Sequence, residues 1–368
     1  MNRREFLLSA AAFSFAGCRS VADRREVALR AAMRQSLANG VYGALVCGSN
    51  RIAPIAMGRR ALEAADGTVT EHSVFDLASV GKTQTAALCA LLFADGRLDP
   101  DAPFVKYLPE HVLAKENCTI TVRDLATHSG GFDNAKPYAT PDVKRMFEQL
   151  YAKRPAWPRG EKFFYACSNF VYLGLIVEHV TGMELGTAAK KLLWGPLGMT
   201  RTTWDTVVGN PDAVECHPCT YRWSPADPPR KIGEHNDICA HWAPRGMGNG
   251  SCFSTCGDML KFVCDLLRRE KFPKAYYDLL FTPAFDKDGV RRTFGWDMKG
   301  AASPSGVFPG SPFSDRLLIH HGWTGPVIAV DPEHDFAGVV LGSRYGDREE
   351  SMKARVRMLE LMCRTDLN

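Results

Sequence analysis

The feature that most constrains this chain is an apolar run that cannot face water on any side. Thr83-Gln84-Thr85-Ala86-Ala87-Leu88-Cys89-Ala90-Leu91-Leu92-Phe93 carries no charge, and Gly96 is placed to stop it. A helix that is apolar nearly all round is a buried helix, so other layers must cover it. Directly ahead stands Val74-Phe75-Asp76-Leu77-Ala78-Ser79-Val80-Gly81-Lys82. With Ser79 opening the helix, Lys82 lies one turn on and on the same face, where the two side chains can meet. A serine hydroxyl needs a base within hydrogen-bond reach to act as a nucleophile at neutral pH. A lysine can be that base when desolvation or a nearby cation lowers its pKa, and a buried helix offers that setting. Ser-x-x-Lys alone is unspecific, and its plain reading is a solvated helix start. Its weight therefore depends on the rest of the chain.

The 368 residues allow one large domain or two smaller ones. With 45% hydrophobic and 23% charged residues, the composition is that of an ordinary globular chain. The net charge of +4 comes from scattered Lys and Arg with no basic run between aromatics, which argues against nucleic acid as a partner. The first residues, Met1-Asn2-Arg3-Arg4-Glu5-Phe6-Leu7-Leu8, resemble a twin-arginine export signal. The apolar stretch from Phe6 to Ala16 is too short to span a bilayer. It ends Phe15-Ala16-Gly17-Cys18, which resembles a lipoprotein processing site with Cys18 as the lipidated first residue; a plain secretory signal cut nearby is the alternative. Residues 1–20 are thus expected to be a signal and 21–368 the folded domain, exported to the periplasm or cell envelope. A lipid at Cys18 is the one expected link to a membrane. Among the twelve cysteines, Cys89 and Cys264 sit in apolar contexts and are expected in the core. Cys216-His217-Pro218-Cys219 has redox or metal spacing, but no second pair matches it, which favours a disulfide or free thiols.

Residues 21–39 read as a helix ended by Asn39-Gly40, followed by strands over 41–47 and 52–58. Ile120-Thr121-Val122-Arg123-Asp124-Leu125-Ala126-Thr127-His128-Ser129-Gly130-Gly131 combines an N-capped helix with a glycine stop. His128 is expected to be a hydrogen-bonded structural histidine, because no nucleophile lies beside it. Helices are expected over 170–181, 256–268 and 348–363, a hairpin over 327–332 and 336–341, and a variable rim loop over 208–232.

Phe75-Asp76-Leu77-Ala78-Ser79-x-x-Lys82, the Leu98–Pro109 segment and Leu125-Ala126-Thr127-His128-Ser129-Gly130-Gly131 together resemble the serine β-lactamase and penicillin-binding-protein superfamily. The similarity is to the branch holding class C β-lactamases, D-alanyl-D-alanine carboxypeptidases and related esterases, and it runs from about residue 40 to 345. It implies an α/β (α+β) fold: a central antiparallel sheet flanked by helices, with a mainly helical domain inserted between its halves and the site in the crevice. It implies no metal and no cofactor. The family's Tyr-x-Asn element falls on Tyr165-Ala166-Cys167, counted back from Leu173-Gly174. A phenol there can relay a proton to the leaving group. Cys167 replaces an amide that donates and accepts well, which weakens a β-lactam assignment; Asn169 is two residues further on. The third element takes the His-x-Gly form in His320-His321-Gly322-Trp323, with His320 at the cationic position. Gly322 lets the strand approach the substrate, and the N–H groups of Trp323 and Ser79 would form an oxyanion hole. Arg344 is a candidate for a substrate carboxylate, or else a surface ion pair. His235 and Asp237 are expected at the cleft rim or in structural roles, because a metal would need a third ligand.

The resemblance therefore implies an exported serine hydrolase. Ser79 would form an acyl-enzyme with Lys82 as base, Tyr165 passing the proton on and His320 lending polar or cationic support. Whether Lys82 or the Tyr165 phenolate takes the proton first stays open. The substrates implied are a small ester, a β-lactam or a D-Ala-type peptide. A non-catalytic muropeptide-binding protein is the remaining alternative.

Overall fold

A computed structural model describes residues 24–62, 67–216 and 230–364. Helix α1 (24–38) leads into a hairpin of β1 (Tyr42–Ser49) and β2 (Ile55–Gly58). The short β3 (Phe75–Asp76) then runs to α2 (Gly81–Ala94). A largely helical stretch follows: α3 (Val122–Thr127), α4 (Val143–Ala152), α5 (Cys167–Thr181), α6 (Leu185–Ala189), α7 (Gly195–Leu197) and α8 (Ile238–Trp242). Next, β4 (Phe253–Ser254) pairs with β3 and precedes α9 (Cys256–Arg268) and α10 (Lys274–Phe281). The chain closes with β5 (Phe285–Lys287), β6 (Val290–Thr293), β7 (Trp296–Asp297), β8 (Leu318–His321), β9 (Val327–Asp331), β10 (Phe336–Arg344) and α11 (Arg348–Cys363).

Eight strands form one antiparallel sheet in the order β2-β1-β10-β9-β8-β7-β6-β5. The N-terminal hairpin thus lies beside the last strand, and the helical region is inserted between the two halves, as the family resemblance implied. Side chains of a strand alternate between faces. Ala44, Val46, Val339 and Leu341 face a core shared with α2 and α9, while Leu45, Cys47, Phe336 and Val340 face α1 and α11. Both faces are covered, so β1, β9 and β10 are apolar runs without a polar side.

Helix α2 is buried along most of its length between α5 and α10. Its few polar side chains are satisfied inside: Trp194 Nε1 donates to Gln84 Oε1 at 3.1 Å, and Thr85 Oγ1 donates to the Gly248 carbonyl at 2.8 Å. The expected elements recur with small shifts at their ends. One differs in a way that matters. Ser79 does not open α2 but sits in a 3₁₀ turn, Ala78–Val80, just ahead of it. Ala78 has a φ of 44°, in the left-handed region that costs a non-glycine residue energy. Its N–H is held by Asp76 Oδ1 at 2.7 Å. The signal segment, Cys18 and Cys219 lie outside the described residues. Cys216 is disulfide-bonded. Cys89 is fully buried and Cys264 partly so.

Two glycines bring distant backbone against the Ser79 turn. A Cβ on Gly322, at the end of β8, would sit 2.4 Å from the Leu77 carbonyl oxygen, and one on Gly250 would sit 2.9 Å from the Ala78 oxygen. Gly322→Ala must therefore push β8 away from the turn. The expected cost is about 1–3 kcal/mol of stability, as for overpacking elsewhere, measured by urea unfolding, with loss of serine labelling in the protein that still folds.

Candidate active site

The turn carrying Ser79 is fixed from several segments at once. The Leu77 N–H donates to the Cys252 carbonyl at 2.8 Å, Asp76 Oδ2 accepts the Asn236 N–H at 2.8 Å, and Thr324 Oγ1 donates to the Asp76 carbonyl at 2.7 Å. Burial raises the Asp76 carboxyl to about 6, with its two N–H donors, Arg230 and Asp237 as lesser influences.

Ser79 Oγ lies between two side chains. Lys82 Nζ donates to it at 3.0 Å and the Tyr165 hydroxyl at 2.8 Å. Lys82 is fully buried, and its Nζ also donates to the backbone carbonyl of Asn249. The same nitrogen stands 5.0 Å from the Tyr165 ring centre and 5.8 Å from that of Phe170. Tyr165 belongs to the extended segment just ahead of α5. That segment is held by the Phe164 N–H on the His128 carbonyl at 2.9 Å and by the Ala166 N–H on His128 Nδ1 at 3.3 Å. His128 caps the end of α3 in the left-handed conformation. Its ring lies 4.5 Å from the Tyr165 ring, and its Nδ1 is 3.0 Å from Asn169 Nδ2. Burial, with Arg292 and Lys82 nearby, pushes its pKa well below the usual histidine range. His128 is thus a neutral, hydrogen-bonded structural residue, and Asn169 serves it rather than replacing the missing amide.

Asn249 is a residue that motif reading missed. Its side chain donates to Asp237 Oδ2 at 2.9 Å, and Lys136 Nζ lies 3.2 Å from the same oxygen. Burial opposes ionisation of Asp237, but Lys136 and hydrogen-bond donors outweigh it and hold the carboxyl below its usual range. Asp237 also caps α8. It therefore sits behind the site, positioning the loop whose carbonyl receives Lys82. His235 is buried, with Nδ1 3.0 Å from the Ser251 carbonyl. Among the described residues no cluster of His, Cys, Asp or Glu has the grouping of a metal site. The signal for Asn249 was present in Gly246-Met247-Gly248-Asn249-Gly250, since clustered glycines mark close backbone approach.

Cys167 is the first residue of α5, and its N–H donates to Asn134 Oδ1 at 2.9 Å. His320 is buried, with Nδ1 3.1 Å from the His321 carbonyl. Burial, Arg292 and Lys82 push its pKa well below the ordinary value, so it enters the site as a neutral imidazole rather than a cation. His321 corrects the sequence expectation in another way. Strand alternation turns it to the opposite face of β8 from His320. There Arg355 and Arg348 are the cations that bear on it. Arg292 is fully buried, pairs with Asp297 across the β6–β7 hairpin and has its guanidinium 5.2 Å from the Phe163 ring.

Beyond Gly322, Trp323 is 44% exposed at the mouth of the site. Arg344 donates from Nε to the Trp323 carbonyl at 3.1 Å and from Nη1 to the Gly346 carbonyl at 3.0 Å. Its guanidinium lies 4.6 Å from the Trp323 ring and that of Arg348 5.5 Å. Neither the Ser79 N–H nor the Trp323 N–H donates to any other group among the described residues. A serine between an amine and a phenol, next to two uncommitted backbone donors, is an arrangement able to attack a carbonyl and stabilise the resulting oxyanion.

The family model for beta-lactamase matches residues 29–361, and the chain belongs to that family. A relative from Escherichia coli O157:H7 that bears the name D-alanyl-D-alanine carboxypeptidase is 26% identical over 311 residues, covering 75% of this chain and 70% of that one. Among solved structures, the D-alanine carboxypeptidase AmpC of Burkholderia cenocepacia superposes with a TM-score of 0.70 at 20% identity, covering 94% of this chain and 99% of that one. EstCE1, described as a hydrolase with promiscuous acyltransferase activity, superposes at 0.74 with 16% identity, covering 95% and 99%. These similarities establish a fold of the serine β-lactamase and penicillin-binding-protein superfamily.

Asp76 gives a pH prediction. Its carboxyl is raised from 3.8 to about 6, so the fold favours the uncharged form. The associated stability is fully present below the ordinary pKa and is lost as pH rises through about 6. A shift of this size corresponds to about 3 kcal/mol. Urea unfolding followed from pH 4 to 7 should show stability falling by that order. Asp76→Asn, uncharged throughout, should lose that part of the slope.

Proposed function

We propose that this protein is a serine hydrolase that works through a Ser79 acyl-enzyme, with small esters as its preferred substrates. The observation that carries it is the contact of Ser79 Oγ with both Lys82 Nζ, at 3.0 Å, and the Tyr165 hydroxyl, at 2.8 Å. Ser79 Oγ attacks the substrate carbonyl, and its proton passes to the Lys82–Tyr165 pair. The N–H groups of Ser79 and Trp323 receive the developing oxyanion. Tyr165 then delivers the proton to the leaving group as the bond to it breaks. Water attacks the acyl-enzyme with the same pair taking its proton, and the acid leaves as Ser79 is restored.

The ester preference rests on what surrounds this core. Cys167 stands where family members that cleave amides carry an amide side chain, and a thiol is a weak donor and acceptor. The neutral imidazole of His320 offers no charge for a substrate carboxylate. Both features suit an uncharged ester better than a β-lactam or a terminal D-Ala. A second substrate class is favoured by a different observation. The guanidinium groups of Arg344 and Arg348 flank Trp323 at the mouth, a cationic rim suited to the carboxylate of a D-Ala peptide. The carboxypeptidase name of the Escherichia coli relative points the same way. Arg3-Arg4 and Cys18 support an address in the cell envelope with a lipid anchor. No helix among the described residues is long and apolar enough to cross a membrane.

Intact-mass analysis after a fluorophosphonate, with p-nitrophenyl acetate and a penicillin as parallel substrates, tests the proposal. Wild type should take one label and turn over the ester without a penicillin adduct, and Ser79→Ala should do neither. Tyr165→Phe should lower ester kcat by about 10²–10⁴-fold, the range for loss of a positioned proton donor. A penicillin adduct on Ser79 would move the protein to the cell-wall class. Folded wild type that takes no label would end the enzyme reading and favour a muropeptide-binding protein.

A further inference from the structure

The C=O and N–H of one peptide group point in opposite directions from a rigid plane. The Trp323 N–H and the Gly322 C=O belong to the same peptide group. Whatever holds the Gly322 oxygen therefore aims the Trp323 N–H. That oxygen accepts a hydrogen bond from Arg355 Nη1 at 2.7 Å and one from the Gly325 N–H at 3.2 Å. Arg355 comes from α11, on the face of the sheet opposite α2. It is 3% exposed, and among the described residues no carboxylate stands within ion-pair distance of it. The same Nη1 reaches the Pro326 carbonyl at 3.0 Å, so one guanidinium grips both ends of the turn 322–326.

We propose that Arg355 is a positioning residue that aims and polarises the Trp323 N–H toward the carbonyl oxygen of a substrate at Ser79. The inference rests on the acyl-transfer function proposed above. A buried cation without a carboxylate is expensive, and here the groups it serves are the carbonyls at the back of the candidate oxyanion hole. A positive charge on an amide oxygen strengthens the N–H of that amide as a donor, as charge-assisted and chained hydrogen bonds do. The effect grows as negative charge forms on the substrate oxygen, so it lowers the barrier more than it tightens binding. Other contacts keep the turn itself in place. Thr324 Oγ1 donates to the Asp76 carbonyl, the one proton of the Tyr42 hydroxyl is shared between the Ser351 carbonyl at 3.0 Å and the Gly325 carbonyl at 3.3 Å, and Ser351 Oγ donates to Tyr42 at 2.8 Å. These contacts hold the turn; Arg355 adds the charge.

The test uses the full chain with Arg355→Lys, Arg355→Met and Tyr42→Phe, assayed with p-nitrophenyl acetate and by the rate of fluorophosphonate labelling. Arg355→Met should lower kcat and the labelling rate by about 10–100-fold, below the effect of removing an oxyanion donor outright, with KM changed less than about threefold. Arg355→Lys, which keeps the charge, should recover most of that loss. Tyr42→Phe, which loosens the same turn without removing charge, should leave kcat within about threefold. Should Arg355→Met fail to fold, the other two variants decide. Arg355→Lys must then exceed one tenth of wild-type kcat, and a value below that in folded protein overturns the proposal. Wild-type kcat in Arg355→Met would also overturn it, as would equal losses in Arg355→Met and Tyr42→Phe. Wild type that neither labels nor turns over the ester would overturn the acyl-transfer function and this inference together.

Discussion

Lys82 has no exposed surface. Taking an amino group out of water costs several kcal/mol unless new hydrogen bonds replace those lost. Around Lys82 Nζ the replacements come from Ser79 Oγ and the Asn249 carbonyl, with two aromatic faces nearby. Neither oxygen would be in place without the rest of the fold. Ser79 depends on a strained turn at Ala78, pinned by the Asp76 carboxyl. Asn249 depends on Asp237 and, through it, on Lys136. The cost of burying one lysine is thus spread over four stretches of chain that lie far apart in sequence.

Those stretches meet because of how the sheet closes. The first hairpin pairs with the last strand, which sets β8, β9 and β10 beside β1 and leaves the helical region to cross one face. Helix α2 fills that face, with Ser79 in the 3₁₀ turn just ahead of it and Lys82 in its first turn, next to the end of β8. Backbone then has to approach backbone, and the residues at the closest points are glycines. Gly322 abuts Leu77 and Gly250 abuts Ala78, each at a distance that excludes a side chain. The opposite face carries α1 and α11, remote from Ser79. Arg355 shows that this second layer still reaches the site, through the carbonyl side of one peptide.

Much of this was legible in the chain, and what was not has a common physical cause. The helix over 81–94 could be read because eleven consecutive uncharged residues admit only burial. The meeting of Ser79, Lys82 and Tyr165 could be expected because the proposed chemistry depends on side-chain type and spacing. α9 and α11 appear with the ends expected from the sequence, 256–268 and 348–363. The unread contributions come from backbone atoms or from polar residues with structural partners. Asn249 acts on Lys82 through a carbonyl, which any residue would offer. Asp76 acts through the N–H groups it receives. Motif matching carries no strand parity, and a one-residue step along β8 puts His321 on the other face from His320. His320 was expected at a cationic position, but its charge depends on burial and on the neighbouring positive charges of Arg292 and Lys82, which follow from tertiary packing alone.

The neutral His320 and the thiol of Cys167 bear on substrate choice for one reason. An active site separates esters from amides and carboxylate-bearing substrates largely by the polar groups it keeps ready for the extra hydrogen bonds and charge. Here Ser79 Oγ meets both Lys82 and Tyr165, as the proposed acyl transfer needs, while two positions beside them carry a thiol and a neutral imidazole rather than an amide and a cation. The cations that are present lie further out. Arg344 and Arg348 stand against an exposed indole, and Arg344 already donates to the carbonyls of Trp323 and Gly346. Solvent screens charge at such a rim far more than in the interior, so it can steer an anionic substrate without binding it tightly. Under the proposed function, discrimination at this site falls to shape and to the candidate oxyanion donors, which an activated ester needs least and an amide needs most.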